Sequence, residues 1–130
     1  CYNRNMIEKT FVNVSNHPVK FWDPEQLEAA KRWGPVKGIP FPLVDPNWNE
    51  EQLIELAKDY ILKIQKENPA VVMVQGEYGF TYALIQLLKE RNIKVVYACT
   101  QRDVSEQKNE KGETIKISKF KFIKFREYKL

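Results

Sequence analysis

This chain of 130 residues has one histidine, two cysteines and no apolar run close to the roughly 20 residues that a membrane-spanning helix needs. Cys1 and Cys99 form neither a disulfide framework nor a CxxC metal motif, and this usage is typical of a reducing cytoplasm. His17 has no second histidine with which to build a histidine-rich metal centre in one chain. We therefore expect a cytoplasmic protein that needs neither a metal nor a cofactor and binds no membrane.

The remaining composition is typical of one globular domain. Hydrophobic residues make up 43% and charged residues 29% of the sequence, which places the chain outside the disordered class. Its length suits a single α/β domain over residues 1–130. The first residues, CYNRNM, contain no apolar segment of signal-peptide type. Because Met6 is the first methionine, we expect residues 1–5 to be an artificial or disordered leader.

The net charge of +4 is concentrated near the carboxyl end. Residues 108–130 carry eight lysines or arginines against three glutamates. A basic strand attracts nucleic acid or a nucleotide, and lysines also protect the solvent face and edge of a sheet from aggregation. Both interpretations stay open, and sequence-specific DNA binding is not expected.

Strand and helix patterns alternate along most of the chain. In chain order they predict a strand at Thr10–Ser15, a helix at Pro24–Trp33, an edge strand or extended segment at Ile39–Val44, a helix from about Asn49 to Asn68, a strand at Ala70–Val74, a helix at Phe80–Arg91 and a strand at Lys94–Cys99. This order predicts a doubly wound α/β fold, that is, a Rossmann-like three-layer sandwich around a mainly parallel sheet.

The carboxyl-terminal segment departs from this pattern. Asn109–Gly112 is typical of a hairpin turn and Glu113–Tyr128 of one long strand. The apolar residues of that strand change phase twice, at Phe120 and at Ile123, which indicates β-bulges or a bend. We expect an antiparallel hairpin added to the parallel sheet.

Three polar segments follow predicted strands: Ser15–Pro18, Gly76–Thr81 and Thr100–Arg102. Because ligands of open α/β sheets bind at the carboxyl ends of the strands, we expect these segments to surround one hollow. Gly76 and Gly79 would let a phosphate approach the backbone at a helix N-terminus, although tight strand-to-helix turns also need glycine. Their spacing matches neither the Walker motif nor the dinucleotide fingerprint.

The side chains of these segments suggest the chemistry of the hollow. His17 suits general acid or base catalysis, or else it is a turn residue that caps backbone groups. Arg102 suits a phosphate, or else pairs with an acidic neighbour. Trp22 and Tyr78 are candidates for stacking on a base, whereas Trp33 falls on an apolar helix face and is expected in the core.

Three stretches resemble a known family: Phe11–Pro18, the Gly76–Glu77 turn leading to Phe80–Thr81, and Thr100–Arg102. They are similar to small single-domain relatives of the CRISPR-associated Rossmann-fold (CARF) family, some of which are ring nucleases. The resemblance covers most of the chain in element order. It implies a homodimer that binds a cyclic oligoadenylate across its two-fold axis, and it implies cleavage of that ring. The family's loop carries a glycine pair and a Thr-Lys step, which Gly-Glu and Phe-Thr-Tyr replace here.

The leading hypothesis is therefore a metal-independent ring nuclease of antiviral defence, in which a ribose 2′-hydroxyl attacks the neighbouring phosphate. In this scheme the amides of Gly79–Phe80 and the side chain of Arg102 stabilise the phosphate. His17 assists proton transfer, while Asn16 and Thr81 orient the ribose. The predicted catalytic residues are His17, Arg102 and Glu77, and the predicted ligand-binding residues are Ser15, Asn16, Trp22, Gly76, Tyr78, Gly79, Phe80, Thr81, Thr100 and Gln101.

Three alternatives stay open. The domain could bind a cyclic nucleotide without cleaving it, as a sensor or sponge. Glu77 could be the nucleophile of a nucleoside deoxyribosyltransferase-like enzyme that cleaves a glycosidic bond. The basic hairpin could bind a partner protein without any nucleotide, in a salt-sensitive manner.

Overall fold

The computed structural model describes residues 8–130, so the expected leader at residues 1–5 and Met6 lie outside the described part. The elements in chain order are β1 (Thr10–Ser15), α1 (Pro24–Lys31), β2 (Val36–Gly38), α2 (Glu50–Lys66), β3 (Pro69–Gln75), α3 (Tyr78–Glu90), β4 (Lys94–Lys108) and β5 (Thr114–Glu127). A 3₁₀ turn at Val19–Phe21 precedes α1. Strands and helices follow one another in the predicted order.

The five strands form one sheet in the order β2-β1-β3-β4-β5. β1 pairs in parallel with β2 and β3, and β3 pairs in parallel with β4. β5 runs antiparallel to β4. This mainly parallel sheet with a carboxyl-terminal antiparallel hairpin confirms the predicted α/β fold.

The edge strand β2 lies earlier in the chain than predicted. The apolar segment Ile39–Val44 follows it and forms no strand. The Ile39 amide still donates to the carbonyl oxygen of Asn13 at 2.9 Å. Pro40 and Pro42 have no backbone N–H to donate, which prevents the ladder from continuing.

Side-chain caps determine where α1 and α2 begin. Asp23 Oδ1 accepts the amide of Gln26 at 2.9 Å, with a proline at the first helical position. Asn49 and Gln52 form a reciprocal capping box before α2. In the part of the chain that the structure describes, none of the helices combines the length and the hydrophobicity of a membrane-spanning segment.

Two long helices, α2 and α3, cover one face of the sheet, which we call the helical face. Its fully buried residues include Val12, Val14, Ile64, Val72, Val74, Phe80, Leu84 and Leu88. Burying one such side chain contributes roughly 1.5–3 kcal/mol. This face is therefore the main hydrophobic core of the protein.

The opposite face, which we call the α1 face, is covered by α1 and by a bent β5. Phe11 on β1 and Phe125 on β5 have ring centroids 5.1 Å apart, although two other strands lie between theirs in the sheet. A flat sheet would separate these strands by about 14 Å, so the sheet curls and β5 bends over this face. Trp22 and Trp33 complete the aromatic cluster, which confirms the predicted core position of Trp33.

A β-bulge accompanies the bend. The register between β4 and β5 shifts between Cys99 and Thr100, whose partners are Lys124 and Phe122, so Ile123 has no residue opposite it. The predicted irregularity at Ile123 is confirmed. The other predicted phase change, nearer the turn, produces no shift in register.

β4 is longer than predicted, since it runs to Lys108 instead of ending at Cys99. Its pairing with β3 ends at Val96, and its pairing with β5 continues to the turn. The result is a two-stranded extension over residues 101–121, which we call the hairpin arm. Almost all of its residues are exposed.

Candidate functional site

The sheet opens between β3 and β4 at the carboxyl end of β3, where β4 continues past Val96. These strands pair over only three residue pairs, and side chains then supply the hydrogen bonds that the ladder no longer provides. On the α1 face, Gln75 Oε1 accepts the amide of Ala98 at 3.1 Å. On the helical face, the Tyr128 hydroxyl donates to the carbonyl oxygen of Val74 at 2.8 Å. One polar side chain therefore bridges the opening from each face.

A cavity of about 390 Å³ lies beside this opening on the α1 face, and we call it the α1-side cavity. Its lining residues are the buried Met73, Ala98 and Phe122, the outer residues His17, Phe21, Trp22, Thr100 and Phe120, and the polar side chains Asp23, Gln26 and Gln75. Small-molecule sites have volumes of roughly 300–1,000 Å³. The cavity therefore has the size and the place in the fold that a ligand site requires.

Two polar side chains of the cavity belong to the start of α1. Both carboxylate oxygens of Asp23 accept hydrogen bonds, because Oδ1 caps the helix and Oδ2 accepts the amide of Phe122 at 3.2 Å. It thereby ties α1 to the bent β5. Gln26 is 7% exposed, and its Nε2 lies 3.9 Å from the sulfur of Met73, which is a weak acceptor. Within residues 8–130, no group of three His, Cys, Asp or Glu side chains is placed to hold a metal ion.

Buried polar groups of β1 hold the turn that carries His17. The His17 carbonyl oxygen accepts Asn13 Nδ2 at 3.0 Å and Trp22 Nε1 at 2.9 Å. The Ser15 hydroxyl donates to Asn13 Oδ1 at 2.6 Å and accepts the His17 amide at 3.2 Å. His17 itself is exposed and lines the cavity. Its side chain therefore projects from a backbone that its neighbours hold in place.

The structure brings His17, Trp22 and Thr100 together at the α1-side cavity. Arg102 follows Thr100 by two residues on β4, so it points to the same face of the hairpin. There its Nε donates to the hydroxyl of Ser118 at 2.6 Å. One predicted catalytic residue and two predicted ligand-binding residues thus share this cavity, with Arg102 beyond its outer edge.

The remaining predicted contacts lie elsewhere, so the prediction of one common hollow is wrong. Ser15 is buried, and its hydroxyl is paired within the turn. Asn16 borders a separate cleft of about 690 Å³ against residues 39–43. Gln101 points to the face of the hairpin opposite to Thr100.

The N-terminus of α3 is not an open anion site. Glu77 Oε1 accepts the amide of Phe80 at 2.7 Å, so the protein's own carboxylate occupies the position that a phosphate would take. The predicted phosphate contact by the Phe80 amide is therefore wrong. The Phe80 side chain is fully buried in the helical face. The helix begins at Tyr78, two residues earlier than predicted, because Glu77 caps it.

Packing accounts for the two glycines of this turn. A Cβ atom on Gly76 would lie 2.4 Å from the ring of Phe41, and one on Gly79 would lie 2.9 Å from Leu53 Cδ1. Each glycine lets another element approach the backbone closely. A phosphate is not needed to explain either residue.

Tyr78 and Thr81 border a third, open cleft of about 920 Å³ on the far side of α3. Tyr78 is 92% exposed, and Thr81 Oγ1 is buried with no hydrogen-bond partner among the described residues. Across the cleft, Arg126 donates to the Tyr97 hydroxyl at 3.0 Å, and this bond raises the pKa of the guanidinium. Burial, with a smaller contribution from Tyr97, raises the pKa of Tyr128.

The two glutamines of the α1-side cavity, Gln26 and Gln75, were not among the predicted site residues. The local sequence pattern predicts that Gln26 is the capping partner of Asp23. However, Gln26 shares one helix stripe with Ala30 and Trp33, and a polar residue on a buried stripe is a signal for a site. Gln75 is the last residue of a buried apolar strand. Its side-chain amide replaces a hydrogen bond that is missing between β3 and β4. That gap in the ladder is visible only in the folded structure.

The comparisons with known proteins agree on one family. The family model described as the uncharacterized protein MJ1673 family matches residues 9–126. The chain is similar to the uncharacterized protein MJ1673 of Methanocaldococcus jannaschii, with 32% identity over 71 residues. That alignment covers 55% of this chain and 54% of the relative. The chain therefore spans about half the length of this curated relative.

Proposed function

This chain belongs to the uncharacterized protein MJ1673 family, and we propose that it binds a cyclic oligoadenylate and cleaves the ring, as a CARF-like ring nuclease. The observation that carries the proposal is the α1-side cavity. It lies at the carboxyl end of β3 and beside the middle of β4, it combines aromatic rings with amide groups, and the only histidine of the chain lines it.

The lining of the cavity suits a planar base. Phe21 and Phe120 are 75% and 70% exposed, and both line the cavity together with the half-buried Trp22. Stacking a base on an aromatic side chain contributes roughly 1–3 kcal/mol. Large exposed aromatic rings at a concave site are costly in water, and a stacked base would cover them.

Two cations, Lys20 and Arg102, neighbour the lining residues Phe21 and Phe120 and suit the phosphates that link such bases. Lys20 Nζ lies 5.1 Å from the centroid of the Phe21 ring. Arg102 lies on the hairpin, on the face that also carries Thr100 and Phe120. In this proposal the two cations attract the phosphates on either side of the bound base.

Cleavage needs a nucleophile that the ligand itself supplies. The 2′-oxygen of one ribose forms a bond to the adjacent phosphorus, while the bond from that phosphorus to the 5′-oxygen of the next nucleoside breaks. The products are a 2′,3′-cyclic phosphate end and a 5′-hydroxyl end. His17 accepts the proton of the 2′-hydroxyl, and the leaving 5′-oxygen takes up a proton from water. The hydrogen bonds that hold the His17 backbone support this role, because they limit the positions of the imidazole.

The symmetry of the ligand leads to a homodimer within this proposal. A cyclic oligoadenylate with an even number of identical nucleotides has a two-fold axis. Two copies of the chain related by the same axis would present two α1-side cavities to it. Each cavity would hold one base of the ring.

The test is incubation of the purified protein with cyclic tetra-adenylate and cyclic hexa-adenylate in the presence of EDTA. Calorimetry measures binding, and chromatography measures linear products. We expect binding and cyclic-phosphate products from at least one ring. His17→Ala should lower the cleavage rate by about 10²–10⁴-fold with little change in affinity, whereas Gln65→Ala on the exposed side of α2 should change neither.

The outcomes separate the remaining hypotheses. Tight binding with the ring recovered intact would establish a sensor or sponge instead of a nuclease. Release of free adenine that Glu77→Gln abolishes would favour the glycosidic-bond enzyme. Binding of neither ring, together with no product, would overturn the proposal.

A further inference from the structure

We infer that Gln26 selects adenine in the α1-side cavity by accepting a hydrogen bond from the exocyclic amino group of the base. The inference rests on the proposed function for the nature of the ligand. It goes further in assigning base specificity to one side chain that takes no part in the cleavage chemistry.

The burial of Gln26 is the first support. Its side chain lies on the stripe of α1 that packs against the sheet, and only 7% of the residue is exposed. Among the described residues, the hydrogen-bonding neighbour of its amide group is the thioether of Met73, 3.9 Å from Nε2. A thioether is a weak acceptor, and a buried amide without a strong partner costs stability. A partner supplied by a ligand would satisfy it.

The orientation of the two amides is the second support. Because a thioether accepts and cannot donate, the NH₂ group of Gln26 faces Met73 and its oxygen is left for the cavity. Gln75 has the opposite orientation, since the amide of Ala98 requires an acceptor and takes Oε1. Its NH₂ group is therefore left as a donor. The cavity thus offers one acceptor from α1 and one donor from β3.

This pair of groups is complementary to the hydrogen-bonding groups of adenine and not to those of its oxo analogues. On one edge adenine has its 6-amino donor beside the ring acceptor N7, so the donor can meet Gln26 Oε1 while N7 meets Gln75 Nε2. On the same edge hypoxanthine and guanine have two acceptors, O6 and N7, so O6 would face the Gln26 oxygen and both acceptors would be left unpaired. The structure therefore assigns the discrimination to Gln26 and the orientation of the base to Gln75.

The experiment compares cyclic tetra-adenylate and cyclic hexa-adenylate with the same rings carrying hypoxanthine, using wild-type protein, Gln26→Met and Gln26→Glu. Methionine keeps the length and volume of the side chain and removes the amide. Glutamate keeps an acceptor oxygen in either protonation state. We expect wild type to prefer the adenine ring by about tenfold or more, Gln26→Met to lose that preference, and Gln26→Glu to retain it.

Gln65→Met is the matched control, because Gln65 is exposed on α2 and lies outside the cavity. Thermal unfolding of every variant checks that the fold is intact. A purely structural role of Gln26 would lower the affinity for both rings equally in Gln26→Met and would leave the ratio unchanged, which overturns the inference.

AMP and IMP, at millimolar concentrations with tryptophan fluorescence as the readout, separate the two claims. If no ring binds but AMP is preferred over IMP, and Gln26→Met abolishes this preference, the inference holds for adenine nucleotides and the ring proposal fails. If the adenine ring binds without any preference over its hypoxanthine analogue, the ring proposal stands and the inference is overturned. Binding of neither the rings nor AMP overturns both.

Discussion

The two faces of the sheet are covered by different kinds of structural element. The helical face is covered by α2 with 17 residues and α3 with 13 residues, and its buried cluster is almost entirely apolar. The α1 face has one helix of eight residues. A bent β5 and a cluster of aromatic rings cover the rest of it, and the α1-side cavity is the part that stays uncovered.

Three of the four buried polar residues in the described part of the chain follow the same division, and the fourth, Thr10, donates to the carbonyl oxygen of Glu67 at the end of α2. Asn13 and Ser15 alternate with the valines of the helical face, so both point to the α1 face, and Gln26 lies there as well. Polar groups in a core cost stability unless they are paired. The helical face therefore supplies stability, and the α1 face carries the groups that position the His17 turn and line the cavity.

Removing a large side chain from the helical face should have the largest effect. Phe80 is fully buried, with ring centroids 5.3 Å from Phe41 and 5.1 Å from Tyr60. Phe80→Ala should lower the free energy of unfolding by about 3–5 kcal/mol, measured by urea denaturation. The affinity for a ring ligand should stay close to wild type at a temperature where the variant is folded. Tyr82→Ala, at a position 67% exposed on the same helix, should change stability by less than about 0.5 kcal/mol.

A fall in ligand affinity as large as the loss of stability in Phe80→Ala would show that the two faces are not independent. It would also remove the basis for assigning the ligand to the α1 face alone.

An intermediate effect on stability, with a direct effect on binding, is expected on the α1 face. Asp23→Ala removes the α1 cap and leaves the amide of Phe122 without its acceptor. We expect a loss of about 2 kcal/mol in the free energy of unfolding, together with weaker ring binding, because the bent β5 forms one wall of the cavity. Urea denaturation and calorimetry on one preparation measure the two quantities.

Asp23→Asn separates the two contributions, since the asparagine oxygen keeps the helix cap and its NH₂ group cannot accept the Phe122 amide. About half of the loss in stability should remain. Unchanged ligand affinity in both variants, despite reduced stability, would argue against β5 as a wall of the binding site.

The parts of the fold that depend on neighbouring residues were predictable, and those that depend on distant contacts were not. Strand β1 and the starts of α1 and α2 follow from apolar spacing and from capping residues within a few positions. The closure of the α1 face depends on Phe11 meeting Phe125, which no local pattern encodes. The irregular phase at Ile123 indicated a bend in β5, but not the surface towards which it bends.

The same limit applies to the site. A Gly-Glu turn before a helix is compatible both with a phosphate loop and with a helix that its own glutamate caps. The bond from the Phe80 amide to Glu77 Oε1 decides between them, and Phe41, which is distant in the chain, explains why the turn needs Gly76. His17 and Trp22 were predictable because they follow β1 directly, whereas the role of Gln26 depends on the depth at which α1 packs.

The smallest expected effect concerns the two side chains that bridge the opening between β3 and β4, one from each face. Burial raises the pKa of Tyr128 on the helical face, and its hydroxyl donates to Val74. A tyrosine with a raised pKa contributes stability that is fully present below about pH 10 and is lost as the pH rises above that value. Tyr128→Phe should lower the free energy of unfolding by about 1 kcal/mol at pH 7.5. Between pH 9.5 and 11 this free energy should decline less steeply in the variant than in wild type.

Tyr78→Phe, at the exposed start of α3, is the control, and its free energy of unfolding should decline in parallel with that of wild type. If Tyr128→Phe also declined in parallel, the alkaline loss would come from other groups, and the opening would be held chiefly by Gln75 from the α1 face.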